Sequence, residues 1–336
     1  MEHVIEYHLI ESIDAKRKKI MQDPYFDEEL RDKKFQCLQE ESALSSGRLE
    51  SIIEGIMGSE GVDYDGRIVS DKTYGREAKE ALDWGIANYE GFVDRDFIVG
   101  VGSRANPMLR YPFIRDTAVR IPGVKNSPPS YGVKLRIKLA EFYDQVNSFT
   151  HPVDKALYSH LHIFALQPFV DGNKRASRAI QNSILCNNGY APIVIGLDDS
   201  DFYFKSLLDA YESYYDRISD GKTDELSIAE RNLFRWLGTK CNNSMNNVLR
   251  SLESEKKFII TVDYKGKFEK GKQMAVNRVL KNLMRARDSS GFARNVKNSR
   301  NKFKIKGDIT RVDLYAVLDS LSIVKRYDVA RHKNGN

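Results

Sequence analysis

Cysteine is scarce in this chain. Cys37, Cys186 and Cys241 are its only three in 336 residues, too few and too scattered for a disulfide framework or a metal cluster. Long hydrophobic runs are missing too: none approaches the roughly 20 apolar residues that a membrane-spanning helix needs. No charged-then-apolar leader opens the chain. There is no internal repeat and no low-complexity stretch, and the acidic turn Asp198-Asp199-Ser200-Asp201 lacks the ligand spacing of a Ca²⁺ loop. These absences exclude a disulfide scaffold, a helical membrane protein and a solenoid. They predict a protein of a reducing, cytoplasmic setting with no membrane partner, a description that a bacterial effector exported by another route also fits.

With 41% hydrophobic residues, the chain can bury a sizeable core and is expected to hold two or three domains. Charge is unevenly spread. Residues 256–336 hold 21 Lys and Arg against 7 Asp and Glu, a surplus of 14 positive charges, whereas the whole chain carries only +6. The C-terminal segment is therefore a separate electrostatic body. It combines a helical pattern over 274–286, a second over 310–321 and a strand over 324–329, a helix-then-wing order that predicts a small basic α/β module of the winged-helix type. Its basic face suits DNA or another acidic partner.

The most informative segment is Gln167-Pro168-Phe169-Val170-Asp171-Gly172-Asn173-Lys174-Arg175-Ala176-Ser177-Arg178. Before it, Ala156, Leu157, His160, Leu161 and Phe164 keep a helical apolar period; after it, Ile180, Ile184 and Leu185 keep another until Asn187-Asn188-Gly189 stops it. Gly172 lets the backbone turn tightly, and the amides from Gly172 to Lys174 open a helix whose unpaired N–H groups suit an anion. Asp171 offers Mg²⁺ a carboxylate beside phosphate oxygens. Arg175 and Arg178, three apart, share a helical face and suit bidentate phosphate contacts. Helix, anion loop, helix is the expected local architecture.

At these residues the chain resembles the Fic (Fido) family, whose signature reads His-Pro-Phe-x-Asp-Gly-Asn-Gly/Lys-Arg-x-x-Arg between two helices; the resemblance runs from about 111 to 195. It implies a mainly α fold, a Fic-type helical core with a β-hairpin flap, and transfer of AMP from Mg·ATP (cofactors ATP and Mg²⁺) to a Ser, Thr or Tyr hydroxyl of a target protein. It assigns Asp171 to the metal and Gly172, Asn173, Lys174, Arg175, Arg178 and Asn182 to the nucleotide. The run 111–123, with Ile114, Arg115 and Thr117, becomes the target-positioning flap that pairs with an extended segment by strand addition. His160 is expected to pack. A homodimer is one expected assembly, and the domains implied are 1–100, a helical region with an inhibitory helix; 101–240, the Fic core; and 241–336, the basic module.

Two departures matter. Gln167 stands where the family has its catalytic His, and an amide cannot accept a hydroxyl proton near neutral pH; impaired transfer is expected, with a non-catalytic nucleotide-binding regulator as the alternative. Lys174 replaces the usual Gly, which leaves Doc-like phosphoryl transfer open beside AMP transfer. The run from Leu44 to Ile56 resembles the family's inhibitory helix, whose Glu pairs with the second Arg of the loop. Two registers compete: Glu54, followed by Gly55, is preferred, and Glu50, with Ser46 four residues before it, is the other.

Overall fold

The computed structural model describes residues 3–22, 28–56, 71–106, 114–222, 225–254, 257–264, 270–286, 292–295, 302–306, 311–322 and 324–331. Two compact units emerge, one of residues 1–21 and 35–246, the other of 22–34 and 247–336. The first contains α1 (Tyr7–Gln22) except its last residue, most of α2 (Glu28–Ile56), α3 (Asp71–Asn88), α4 (Arg95–Ala105), α5 (Val133–Ser148), α6 (Pro152–Leu166), α7 (Asn173–Asn187), α8 (Ser200–Ser219) and most of α9 (Ile228–Ser254). No described helix is long and apolar enough to cross a membrane.

The hairpin of α6 and α7 lies at the centre. Every α6 residue from Val153 to Leu166 except Lys155 is buried, and so are Ala176 to Leu185 of α7, as expected for helices packed on all sides. Helix α6 starts where Pro152 takes a position that needs no N–H and His151 Nδ1 accepts from the Val153 amide at 3.2 Å. It stops at Gln167, whose backbone turns left-handed at φ 47°. α4 is capped by Asp94, which accepts from the Phe97 amide at 2.8 Å, and it approaches the loop so closely that a Cβ on Gly102 would sit 2.0 Å from the Phe169 ring. Phe169 is 1% exposed; the ring that closes the anion loop therefore needs glycine opposite it.

The expected β-hairpin flap is corrected in part. Residues 107–113 lie outside the described ones, and from 114 to 132 no strand forms. Pro122, Pro128 and Pro129 cannot donate to a ladder. Arg115 organises the run instead: its amide donates to Pro168 O at 2.8 Å, and its guanidinium to the carbonyls of Gln167, Thr117 and Pro129 at 2.6, 2.8 and 2.6 Å.

The second unit also departs from expectation. Helices α10 (Lys270–Ala286) and α11 (Arg311–Asp319) and strand β4 (Val324–Arg331) fall where the pattern put them, but β1 (Lys257–Tyr264) opens the unit and β2 (Phe292–Asn295) and β3 (Lys302–Lys306) sit between the helices. The sheet is antiparallel in the order β2-β3-β1-β4. That is the split βαβ arrangement of ferredoxin-like domains, not helix-then-wing. Its core joins Ile260, Val262, Phe303 and Ile305 to Val276, Leu280, Leu314 and Leu318.

Replacing Gly102 with Leu is expected to destabilise the first unit by ~1–3 kcal/mol, since the side chain must displace a fully packed ring. Urea unfolding of the variant measures it; unchanged stability would contradict the close approach.

Candidate active site

The αL turn at Gln167 is held from both sides. Its side-chain amide donates to Phe164 O at 2.6 Å, and its Oε1 accepts from Asn173 Nδ2 at 3.0 Å. Asn173 in turn accepts from the Phe169 amide at 2.9 Å and donates to Phe169 O at 2.8 Å. The loop is therefore a closed set of local hydrogen bonds, which offsets the strain of positive φ in a residue other than glycine. Gly172 follows at φ 78°, and no side chain caps α7, so the amides that open this helix remain available for an anion.

Three cations surround that helix start, and each has a carboxylate. Lys174 Nζ lies 3.0 Å from Glu50 Oε1, and Arg178 Nη2 lies 3.5 Å from Glu50 Oε2. Arg175 is paired with Glu77 of α3, stacks 4.6 Å above the Tyr74 ring and stands 3.6 Å from Asp171. Burial alone would raise the Glu50 carboxyl, but Lys174, Arg175 and Arg178 outweigh it and hold it at about 2. Glu77 moves the other way, pushed up by burial against the pull of Arg175.

Helix α2 lies against α7 through a polar ladder with a four-residue step on each side. Ser42 accepts from Asn182 Nδ2 at 2.8 Å; Ser46 Oγ accepts from Arg178 Nε at 2.8 Å; Glu50 meets Lys174 and Arg178. Counting up one helix while counting down the other shows that the two run antiparallel. The preferred register fell on Glu54, whose side chain lies outside the described residues; the carboxylate that meets Arg178 is that of Glu50, one turn earlier, with Ser46 on the same guanidinium.

Several expected site residues have other employment. Asn182 is buried and saturated: it donates to Ser42 and to Ile193 O at 3.0 Å, and accepts from the Ile193 amide at 2.9 Å. It pins the segment after α7 and has no donor left over for a nucleotide. Arg115 is 2% exposed and grips loop carbonyls, while Thr117 contributes only a carbonyl to it and Ile114 is half-buried beside a cleft. His160 Nε2 meets the Tyr203 hydroxyl at 3.0 Å, and burial, aided by Arg178, lowers it to about 3. His162 donates to Tyr158 O and is lowered to about 4 by burial. Neither histidine is poised near neutrality to replace a base at position 167.

The residues present fit a polyphosphate. Arg175 Nε and Arg178 Nη1 are buried and without a hydrogen-bond partner among the described residues, which is costly unless a ligand completes them. Asp171, whose side chain is half-exposed, accepts from Asn106 Nδ2 at 2.8 Å through one oxygen, which leaves the other for a hard cation such as Mg²⁺. No group of three metal-ligating side chains occurs among the described residues.

Residues 104–185 match the Fic/DOC family. The chain is similar to the protein adenylyltransferase Fic of Drosophila willistoni, 35% identical over 84 residues, which are 24% of this chain and 17% of that protein. It is also similar to that of Nematostella vectensis, 37% identical over 57 residues, 17% of this chain and 13% of that one. The matches thus span only about a sixth and an eighth of the length of these two relatives. A Fic domain-containing signaling protein from Bacteroides thetaiotaomicron superposes with a TM-score of 0.55 at 18% identity, over 73% of this chain and 97% of that one, which establishes the shared fold.

Glu77 and Tyr74 of α3 and Asn106 after α4 were not legible as partners of Arg175 and Asp171, because nothing in local spacing connects them to the loop. On α2, Glu50 with Ser46 was the less preferred of the two registers expected for a partner of Arg178, and the pairing of Ser42 with Asn182 was not foreseen.

Glu50 titrates at about 2 when folded against a usual 4.5, so its contribution is complete above the unfolded value and lost as pH falls towards the folded one. Glu50→Gln should be less stable than the native chain at neutral pH by an amount of order 3 kcal/mol. The gap should narrow below about pH 5 and close only as the pH falls through the folded value, at about pH 1–2, in urea titrations, and a gap that stays constant with pH would show that the carboxylate is not what stabilises the ladder.

Proposed function

We propose that this chain is a Fic-type protein adenylyltransferase, an enzyme that moves AMP from Mg·ATP onto a Ser, Thr or Tyr hydroxyl of a target protein, restrained by Glu50 and weakened by Gln167. The observation that carries this reading is the cation cluster at the start of α7: Arg175 and Arg178 each hold a carboxylate where a phosphate would sit, and each keeps a buried nitrogen unpartnered among the described residues.

When bound, ATP with Mg²⁺ supplies the AMP group and a pyrophosphate leaving group. Asp171 would hold the metal, and the uncapped amides of α7 would take phosphate oxygens. Arg175 and Arg178 would neutralise the charge that builds on the leaving phosphates, as preorganised donors do. Glu50 competes with the terminal phosphate for Lys174 and Arg178, so full polyphosphate binding requires α2 to release that carboxylate. The target hydroxyl must lose a proton as it attacks, and Gln167 cannot take it; loss of a general base costs ~10²–10⁴ in rate.

A second reading, a nucleotide-binding regulator without transfer, is favoured by one feature: both side-chain hydrogen bonds of Gln167 go to the helices that flank the loop, Phe164 O of α6 and Asn173 Nδ2 of α7, so the side chain serves shape rather than chemistry.

Incubation with α-labelled and, separately, γ-labelled ATP in cell lysate tests the proposal. Gln167→His should raise α-label on protein by ~10²-fold or more, and further when Glu50→Gly is added. Label from the γ-phosphate alone would assign phosphoryl transfer, and ATP binding without any label in the restored double variant would overturn transfer in favour of the regulator.

A further inference from the structure

A cleft of about 650 Å³ opens between residues 114–116, the start of α4 and the first half of α5, lined by Ile114, Asp116, Arg95, Arg136, Leu139 and Tyr143. It lies apart from the cation cluster of α7. Its volume is ample for one or two side chains of a bound segment.

Three observations give the cleft a chemistry. The Tyr143 hydroxyl is buried with no hydrogen-bond partner among the described residues, an unfavourable state for a group that can donate one bond and accept two. Burial pushes its ionisation up, with Asp94 and Asp96 adding to the shift and Arg95 opposing it, so the hydroxyl remains a donor. Arg136 is exposed and has no ion pair among the described residues. Arg95 has only a loose, exposed partner, Asp96 at 3.6 Å. The guanidinium of Arg115 also borders the cleft, but its donors are committed to backbone carbonyls, so it adds field without contact. Asp116 is the one acidic group on the lining.

Beside the cleft, α5 presents apolar surface to solvent. Val133 and Ile137, one turn apart, are 69% and 52% exposed, and Tyr131 just before the helix is 52% exposed. Lys134 and Arg136 are exposed on the same two turns. Aliphatic surface interleaved with unpaired cations suits a partner that is aliphatic and acidic at once.

We infer that this cleft docks the target protein, by receiving an Asp or Glu carboxylate on Arg136 and the Tyr143 hydroxyl while flanking aliphatic residues of the same segment pack on Val133 and Ile137. The inference rests on the proposed transfer to a protein, because residues 114–116 continue directly into the loop that carries Gln167 through the Arg115 bond to Pro168. It adds a residue preference: an acidic residue with aliphatic neighbours near the modified hydroxyl.

Fluorescence anisotropy with two degenerate dodecapeptide pools tests it directly on the full chain. Both pools carry aliphatic residues around a fixed central position and a Ser or Thr; one has Glu at the centre, the other Gln. The Glu pool should bind about tenfold or more tightly, as expected when a charge-assisted contact is lost. Arg136→Glu should remove the preference and Tyr143→Phe should weaken it. Since the Tyr143 hydroxyl has no hydrogen-bond partner among the described residues, its removal should leave thermal stability unchanged or higher, so lost binding in that variant cannot be ascribed to unfolding. Equal binding of the two pools, or a Glu preference that survives Arg136→Glu, overturns the proposal, as does a change of oligomeric state in Arg136→Glu without loss of peptide binding, which would assign the face to a second copy. The two readings fail separately: a Glu preference without label transfer from ATP leaves the docking cleft standing and the enzyme in doubt. Lysate labelling by Gln167→His that is unaffected by Arg136→Glu does the reverse.

Discussion

Three cations crowd the first turns of α7, and the structure depends on how their charge is met. Lys174, Arg175 and Arg178 are too close together to be buried without anions, since an uncompensated charge in a protein interior is far more costly than a paired one. Glu50 and Glu77 supply those anions from two other helices. The pairing has a structural consequence, because it fixes α2 and α3 against α7, and a functional one, because the same nitrogens are the groups that suit phosphates. Fold and site compete for the same charges. A carboxylate held at about 2 by three cations is a close electrostatic substitute for one phosphate oxygen.

The loop between α6 and α7 is maintained independently of that competition. Gln167, Asn173 and Phe169 form a closed hydrogen-bonded set, Arg115 adds three donors to the carbonyls around it, and Gly102 makes room for the Phe169 ring. A glutamine at 167 can do this structural work because it has both a donor and an acceptor at the end of its side chain. It lacks a proton affinity near neutrality. Under the proposed function, the residue would keep the loop in shape without taking a proton, so that loop geometry and catalytic competence would separate at this one residue.

Much of this was readable from the chain. The helix–loop–helix of the site followed from apolar periodicity, His151-Pro152 at one end and Gly189 at the other, and the phosphate-suited residues followed from charge and glycine placement. Arg115, expected in the target-positioning flap, and Asn182, expected at the nucleotide, both bond to backbone carbonyls, contacts that residue type alone does not reveal and burial does. Glu77 was invisible since its partner lies 98 residues away. In the C-terminal unit the helices were visible, but the alternation of Lys302-Phe303-Lys304-Ile305-Lys306 was a period-two signal that went unused; with β3 recognised, the two-helix order would have pointed to a split βαβ rather than a wing.

Calorimetric titration of ATP and of ADP into the native chain and into Glu50→Ala tests the competition between carboxylate and phosphate most directly. If Glu50 stands where the terminal phosphate belongs, the native chain binds the two nucleotides about equally, and the variant binds ATP tenfold or more tightly than ADP, a gain of ~1.4 kcal/mol or above. If ATP and ADP keep the same relative affinity after Glu50 is removed, the carboxylate does not occupy the phosphate's place and the account fails.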